Sequence, residues 1–300
     1  MNTQPMDLPD RPQRFVARAR RWALLRLFVY ILALVVVVAV SSRVLSLFVP
    51  PPPSPLHVPL TMLRNLAVAA LLLGTYALLV WSLERRRAVE IGLGAGIVQW
   101  PAGAVVGIGL MATVYVILWG MNLASFAPGD GVGLLGAGLV AAFLAAVFEE
   151  LLMRAVLFRV VEEASGTTIA LLVSALVFGL LHSFNHGATA FSDAAIALEA
   201  GLLLALAYAL TRNLWFAIGL HMGWNFAEGS LFGAQVSGGA ILPSLVHSTL
   251  KGPLLLTGGS FGPEASIVSI GVCGTVALVF GIIVVHRGGW RPRMFRMTLA

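Results

Sequence analysis

WALLRLFVYILALVVVVAVSSRVLSLF, residues 22–48, holds two charged side chains, Arg26 and Arg43, and neither glycine nor proline. A run this long and apolar crosses a hydrocarbon core of about 30 Å as a helix, because lipid offers the backbone no other partners and roughly 20 residues suffice. The run is too long for the apolar part of a signal peptide, and no cleavage site precedes Arg43. It reads as a first membrane anchor, and Arg20-Arg21 marks its cytoplasmic end. Seven further runs of the same kind follow, at 60–81, 98–121, 134–158, 168–184, 194–210, 214–232 and 265–285. Turn-forming residues separate them: Pro50 to Pro55, Pro128-Gly129, Gly166, Asn185 to Gly187, and Arg212-Asn213. The segment from Gly233 to Pro263 is the longest loop and has room for a re-entrant piece.

The expected fold is an all-α polytopic membrane protein, a bundle of about eight transmembrane helices. Of the 300 residues, 59% are hydrophobic and only 11% charged, and the mean hydropathy is +0.93, far from the composition of soluble domains. One membrane domain, 22–286, accounts for the chain between a basic N-terminal segment, 1–21, and a basic tail, 287–300. The isoelectric point near 10.4 comes from arginines beside the apolar runs, where they set orientation and meet anionic lipid, and nucleic acid is not an expected partner. With the N-terminus in the cytoplasm, sixteen of the nineteen basic residues fall on that side, all but Arg43, Arg64 and Lys251, and both termini are cytoplasmic. The single Cys273 excludes an intrachain disulfide and a cysteine-built zinc cage.

Ionisable groups inside lipid need an explanation in pairing or function. Late in the fourth run stands Glu149-Glu150-Leu151-Leu152-Met153-Arg154. Glu150 and Arg154, four apart, fit a helix-face ion pair, which leaves Glu149, turned about 100° away, free to act on water. Phe178 and His182 share a face of the fifth run, as do His221 and Asn225 of the seventh. His186, four after His182, has the spacing of two metal-binding histidines, but Ser183 stands where H-E-x-x-H requires glutamate. Counted from the cytoplasmic ends of these runs at 1.5 Å per residue, Glu149 lies about 9 Å deep, His221 about 10 Å and His182 about 21 Å. The first two agree and the third does not. Glutamate with histidine could deprotonate a water, and a histidine and an asparagine could donate to an oxyanion. Glu199 and Glu228 read as solvated or hydrogen-bonded groups near helix ends.

The ordered set E-E-x-x-x-R, F-x-x-x-H and H-x-x-x-N on separate apolar runs resembles the CPBP family, the CAAX proteases and bacteriocin-processing enzymes, and within it the type II CAAX prenyl proteases. The resemblance covers roughly 134–238. It implies an intramembrane endopeptidase in which Glu149 and His182 act on water and His221 and Asn225 form the oxyanion site, with Glu150, Arg154 and Phe178 in support. The family is often described as metalloproteases; a divalent metal such as zinc, if used, would draw on Glu149, His182, His186 and His221. The expected partners are the bilayer and a membrane-associated peptide or protein, lipidated or not, and the expected location is a prokaryotic inner membrane. Two other readings of the same polar residues are a non-catalytic scaffold or bacteriocin-immunity protein and a proton-coupled transporter of small solutes, although no inverted repeat supports the last.

Overall fold

The computed structural model describes residues 11–292, so the outermost parts of the two basic terminal segments lie outside it. Among the described residues, eight long helices account for nearly all regular structure. They are α1 (Arg11–Ser46), α2 (His57–Glu84), α3 (Leu93–Gly120), α4 (Leu135–Ser165), α5 (Thr167–Phe184), α6 (Ala190–Thr211), α7 (Leu214–Phe226, carried on through Ala227–Leu231) and α8 (Ile267–His286). Seven are long and apolar enough to cross a membrane; α7 is not, because His221, Asn225 and Glu228 interrupt it. Instead α7 forms the polar axis of an apolar bundle, with its residues from Ala217 through Trp224 buried against α3 and α4.

Close approach of α7 to α3 depends on glycine. Gly103 and Gly107 of α3 face Gly219 and Gly223 of α7, and all four backbones lie against the opposite helix. A Cβ on Gly103 would strike the Phe216 carbonyl, and one on Gly223 the Ala104 carbonyl. Small residues four apart let two helices pack backbone to backbone, which in lipid replaces the hydrophobic drive available in water. Besides α2 in its last turn, Val80–Glu84, three helices widen locally into π-helical turns: α4 over Leu151–Phe158, α6 over Ala197–Gly201 and α7 over Ala227–Leu231. These turns follow Glu150, enclose Glu199 and follow Asn225, in keeping with the frequent placement of such turns at functional sites.

The even-numbered helices end together, at the end of the bundle where α1 begins to pack, and are pinned there by charge. Glu84 at the end of α2 takes Arg159 of α4 at 2.7 Å and Arg26 of α1 at 3.4 Å, and Tyr30 of α1 donates to it at 2.8 Å. Arg212 at the end of α6 meets Glu162 of α4 at 2.5 Å and donates to the Gly289 carbonyl beyond α8 at 2.7 Å. Glu90, between α2 and α3, is buried, which alone would raise its carboxyl; hydrogen bonds from Arg86 and Tyr76 outweigh burial and hold it below the usual glutamate range.

The long loop does not form a re-entrant helix pair. Val246–Leu250 is a strand, β2, paired antiparallel with Ala124–Pro128, β1, which follows α3. Phe232 stacks on Tyr115 at 4.1 Å beneath this ribbon, and Tyr115 bonds Ser248 at 3.0 Å. The pairing joins segments more than a hundred residues apart, so no local pattern announces it. From the ribbon the chain turns back inward, and Pro263–Ala265 ends buried beside α7.

If the α3–α7 contact sets the bundle, Gly107→Val and Gly223→Val each lower stability by about 1–3 kcal/mol or more through overpacking, while Gly109→Val, which faces open space, does not. Thermal unfolding in detergent measures the difference.

Candidate active site

Glu150 is fully buried, and its Oε1 accepts two hydrogen bonds, from Arg154 Nη1 at 2.9 Å and from His221 Nδ1 at 2.9 Å. The first is the helix-face pair that the four-residue spacing predicts. The second is an interhelix bond, which sequence could not show. Arg154, also fully buried, spends its other end on the Ala200 and Gly201 carbonyls of α6, at 3.1 and 3.2 Å, and its guanidinium lies 4.7 Å from the centre of the Phe178 ring. One ion pair thus ties α4 to α5, α6 and α7.

Both histidines are oriented through Nδ1. His221 gives its Nδ1–H to Glu150, and His182 gives its own to the Phe178 carbonyl at 2.7 Å, since a carboxylate or carbonyl oxygen can only accept. Each ring therefore presents Nε2. His221 Nε2 lies 3.8 Å from Glu149 Oε2, too far for a direct hydrogen bond and across a gap that a water can bridge. Phe178 packs against both rings, 4.8 Å from His182 and 6.2 Å edge-on from His221. Glu149 Oε2 is buried without a partner, although the side chain is 32% exposed.

Two cavities meet at this point. A lipid-facing groove of about 490 Å³ between α1, α4 and α5 is walled by aliphatic side chains, and its polar lining is confined to Glu149, His182 and Asn185. On the other side of Phe178 and His182 lies an inner cavity of about 20 Å³, room for about one water, lined by His221, Asn225, Ser237, Glu199 and Glu264. Phe178 and His182 line both. The structure thus gathers Glu149, Glu150, Arg154, Phe178, His182, His221 and Asn225 around one place. His186 is not among them; it is exposed, in the turn after α5.

Glu149 and His182 come level because α4 runs to Ser165, seven residues beyond its expected end, while His221, seven residues into α7, no longer shares their count from the helix end. Measured from the Gly166 turn, Glu149 stands about 24 Å along α4 and His182 about 22 Å along α5. The charged last turns of α4 contain Arg159, Glu162 and Glu163, and an apolar-run criterion cuts them off. Glu199 and Glu228 also differ from expectation: they are 1% and 0% exposed, and Glu199 Oε1 and Glu228 Oε2 have no partner. Glu228 Oε1 does accept the Glu264 N–H, at 3.3 Å. Glu199 carried a signal, an acid inside an apolar run. Glu264 carried none, because only the return of the loop brings it to the cavity.

Among the described residues no group of three or more His, Cys, Asp or Glu side chains is placed to hold a metal ion, and the Nδ1 bonds of His221 and His182 leave Nε2 of each ring free.

The fold and site define an integral membrane protein with a carboxylate and two imidazoles converging inside its helix bundle. Residues 131–227, which run from just before α4 into the end of α7 and contain every motif residue, match the family described as Rce1-like, type II CAAX prenyl endopeptidase. The match takes in 97 of the 300 residues, and over that segment the chain is similar to the type II CAAX prenyl endopeptidases. Neither the curated proteins nor the solved structures offer a match to it.

Removing one partner of the buried pair leaves the other charge uncompensated. Glu150→Ala or Arg154→Ala is expected to cost about 3–5 kcal/mol, and an apolar double replacement, Glu150→Leu with Arg154→Met, to recover most of it. Unfolding of the single and double variants in one detergent checks this.

Proposed function

We propose that the chain is an intramembrane endopeptidase of the CAAX-processing type, using a water activated by Glu149 and His182. The observation that carries this reading is the convergence of Glu149 from α4, His182 from α5 and His221 from α7 where an apolar groove meets a water-sized inner cavity. A water bound between Glu149 and His182 Nε2 gives a proton to Glu149 as its oxygen attacks the scissile carbonyl. The oxyanion takes hydrogen bonds from the Asn225 amide and from His221 Nε2–H, the imidazolium charge being balanced by Glu150. Collapse of the tetrahedral intermediate breaks the C–N bond, and the proton held by Glu149 passes to the leaving amine. Arg154 and Glu150 act through His221, which they hold in place, and Phe178 positions both rings. No step requires a metal.

The groove supports a substrate that arrives from the bilayer, a membrane-associated peptide or protein, lipidated or not. With Arg26, Arg86, Arg159, Arg212 and Arg291 at one end of the bundle, the positive-inside rule puts that end in the cytoplasm, and with it both termini. A prokaryotic inner membrane suits this reading.

The test is cleavage of membrane-tethered peptides by purified protein in detergent. Glu149→Gln and His182→Ala are expected to lower kcat by about 10²–10⁴-fold. Asn225→Ala should cost about 10²–10³-fold. Activity should survive chelators. Loss on chelation that zinc restores would replace the metal-free mechanism, and a wild-type protein that cuts nothing where a relative of the family succeeds would end the peptidase reading.

A further inference from the structure

Every turnover of the proposed reaction consumes a water, and the groove is a poor source of it. Its lining is apolar apart from Glu149, His182 and Asn185, and a substrate in place fills it. The inner cavity lies on the other side of Phe178 and His182, and its volume of about 20 Å³ suits a single water. A buried water needs roughly two to four polar partners. Glu199, Asn225 and the imidazoles of His182 and His221 offer them in the lining. Glu199 is the informative one. It is 1% exposed, and its Oε1 is buried without a protein partner. Buried acceptors are rarely left bare, and a water in the adjoining cavity satisfies this one. His221 lines the cavity and Glu149 the groove, so the 3.8 Å gap between His221 Nε2 and Glu149 Oε2 leads from one to the other.

The surroundings favour one end for refilling the cavity. Toward the arginine-rich end of the bundle its floor is Leu203 and Leu204 of α6 and Leu220 of α7, with Tyr208 and Ile218 buried beyond them. At the opposite end the cover is loop, not helix. Ser237 and Glu264 close the cavity there, and the Ser237 hydroxyl donates to Glu264 Oε1 at 2.7 Å. Ser237 is half-buried, and Gly239 and Ala240 after it are exposed, so this side chain touches both the cavity and the surface. Its φ of 49° lies in the left-handed region that a serine adopts at a cost. The turn is held by the Gly238 N–H, which donates to the Phe261 carbonyl at 2.7 Å.

We propose that the inner cavity is the water inlet of the site: Glu199 holds a water there, that water passes between His182 and His221 to Glu149, and its replacement enters past Ser237. This rests on the peptidase reading and gives roles to two residues that none of the three motifs contains. Glu199 acts through the water and touches no substrate, so it is a positioning residue.

Cys273 lines the same cavity and is the single cysteine of the chain, so the infrared S–H stretch reports one thiol. The experiment moves the full chain in detergent from ordinary to heavy water and times the shift of that band, beside kcat and KM for a membrane-tethered peptide. Glu199→Leu, close in volume but without the acceptor, should slow exchange about tenfold and lower kcat about tenfold, with KM within about twofold of wild type. Glu199→Gln, which keeps a carbonyl acceptor, should bring both back to within about threefold. Ser237→Gly suits the positive φ and removes the hydroxyl; it should speed exchange about tenfold, which keeps the proposal testable if Glu199→Leu fails to fold. Ser174→Ala removes another buried hydroxyl without a partner, on α5 and outside the lining, and should change neither reading. Unslowed exchange in Glu199→Leu, no acceleration in Ser237→Gly, or slowing in Ser174→Ala as great as in Glu199→Leu would overturn the inlet. The thiol reading does not depend on cleavage, which separates the two claims. The expected shifts in a protein that cuts no peptide keep the water site and remove the hydrolase. Cleavage with exchange unmoved by Glu199→Leu and Ser237→Gly removes the inlet and leaves the peptidase reading intact.

Discussion

Arg154 and Glu150 are both fully buried, and a charge at that depth is tolerated only when its partners are fixed. Their ion pair is therefore a constraint on four helices at once. Arg154 must find the carbonyls of α6 and the face of Phe178 on α5, and Glu150 must find His221 on α7. Any displacement of one helix strands a charge. The same pair sets the tautomer of His221 and turns its Nε2 toward Glu149, so the electrostatic demand of the fold and the orientation of the site are met by one arrangement.

That arrangement needs α7 deep in the bundle, although α7 is the least apolar of the eight helices. Glycine resolves the conflict. With no Cβ at Gly103, Gly107, Gly219 or Gly223, α3 can lie directly on α7 and shield its polar side chains from lipid. Burial then places these side chains in low-dielectric surroundings, in which hydrogen bonds between fixed groups are strong. The cost is visible in two buried carboxylates, Glu199 in the lining of the inner cavity and Glu228 behind Glu264, each of which keeps an oxygen without a partner.

The two cavities differ in kind. The groove is apolar apart from Glu149, His182 and Asn185, while the inner cavity is water-sized and brings His221, Asn225, Ser237, Glu199 and Glu264 together among apolar side chains. Phe178 and His182 stand at the boundary and line both. The matched segment supplies Glu149, His182, His221 and Asn225, while α1, held by Arg26 and Tyr30, supplies a wall of the groove.

Sequence by itself determined the membrane class, the helices and the seven side chains that meet at the site, because apolar length and four-residue spacing are local properties of a chain. Glu150 with Arg154 and Phe178 with His182 were legible for that reason. What only the tertiary structure decided are the relations between helices: the His221–Glu150 bond, the glycine contact of α3 with α7, the strand pairing of 124–128 with 246–250, the arrival of Glu264 at the cavity, and the exclusion of His186. The length of α4 was hidden for a related reason. Its last turns are charged because they pair with Arg26, Glu84 and Arg212, and those partners lie tens of residues away, where no periodicity can point to them.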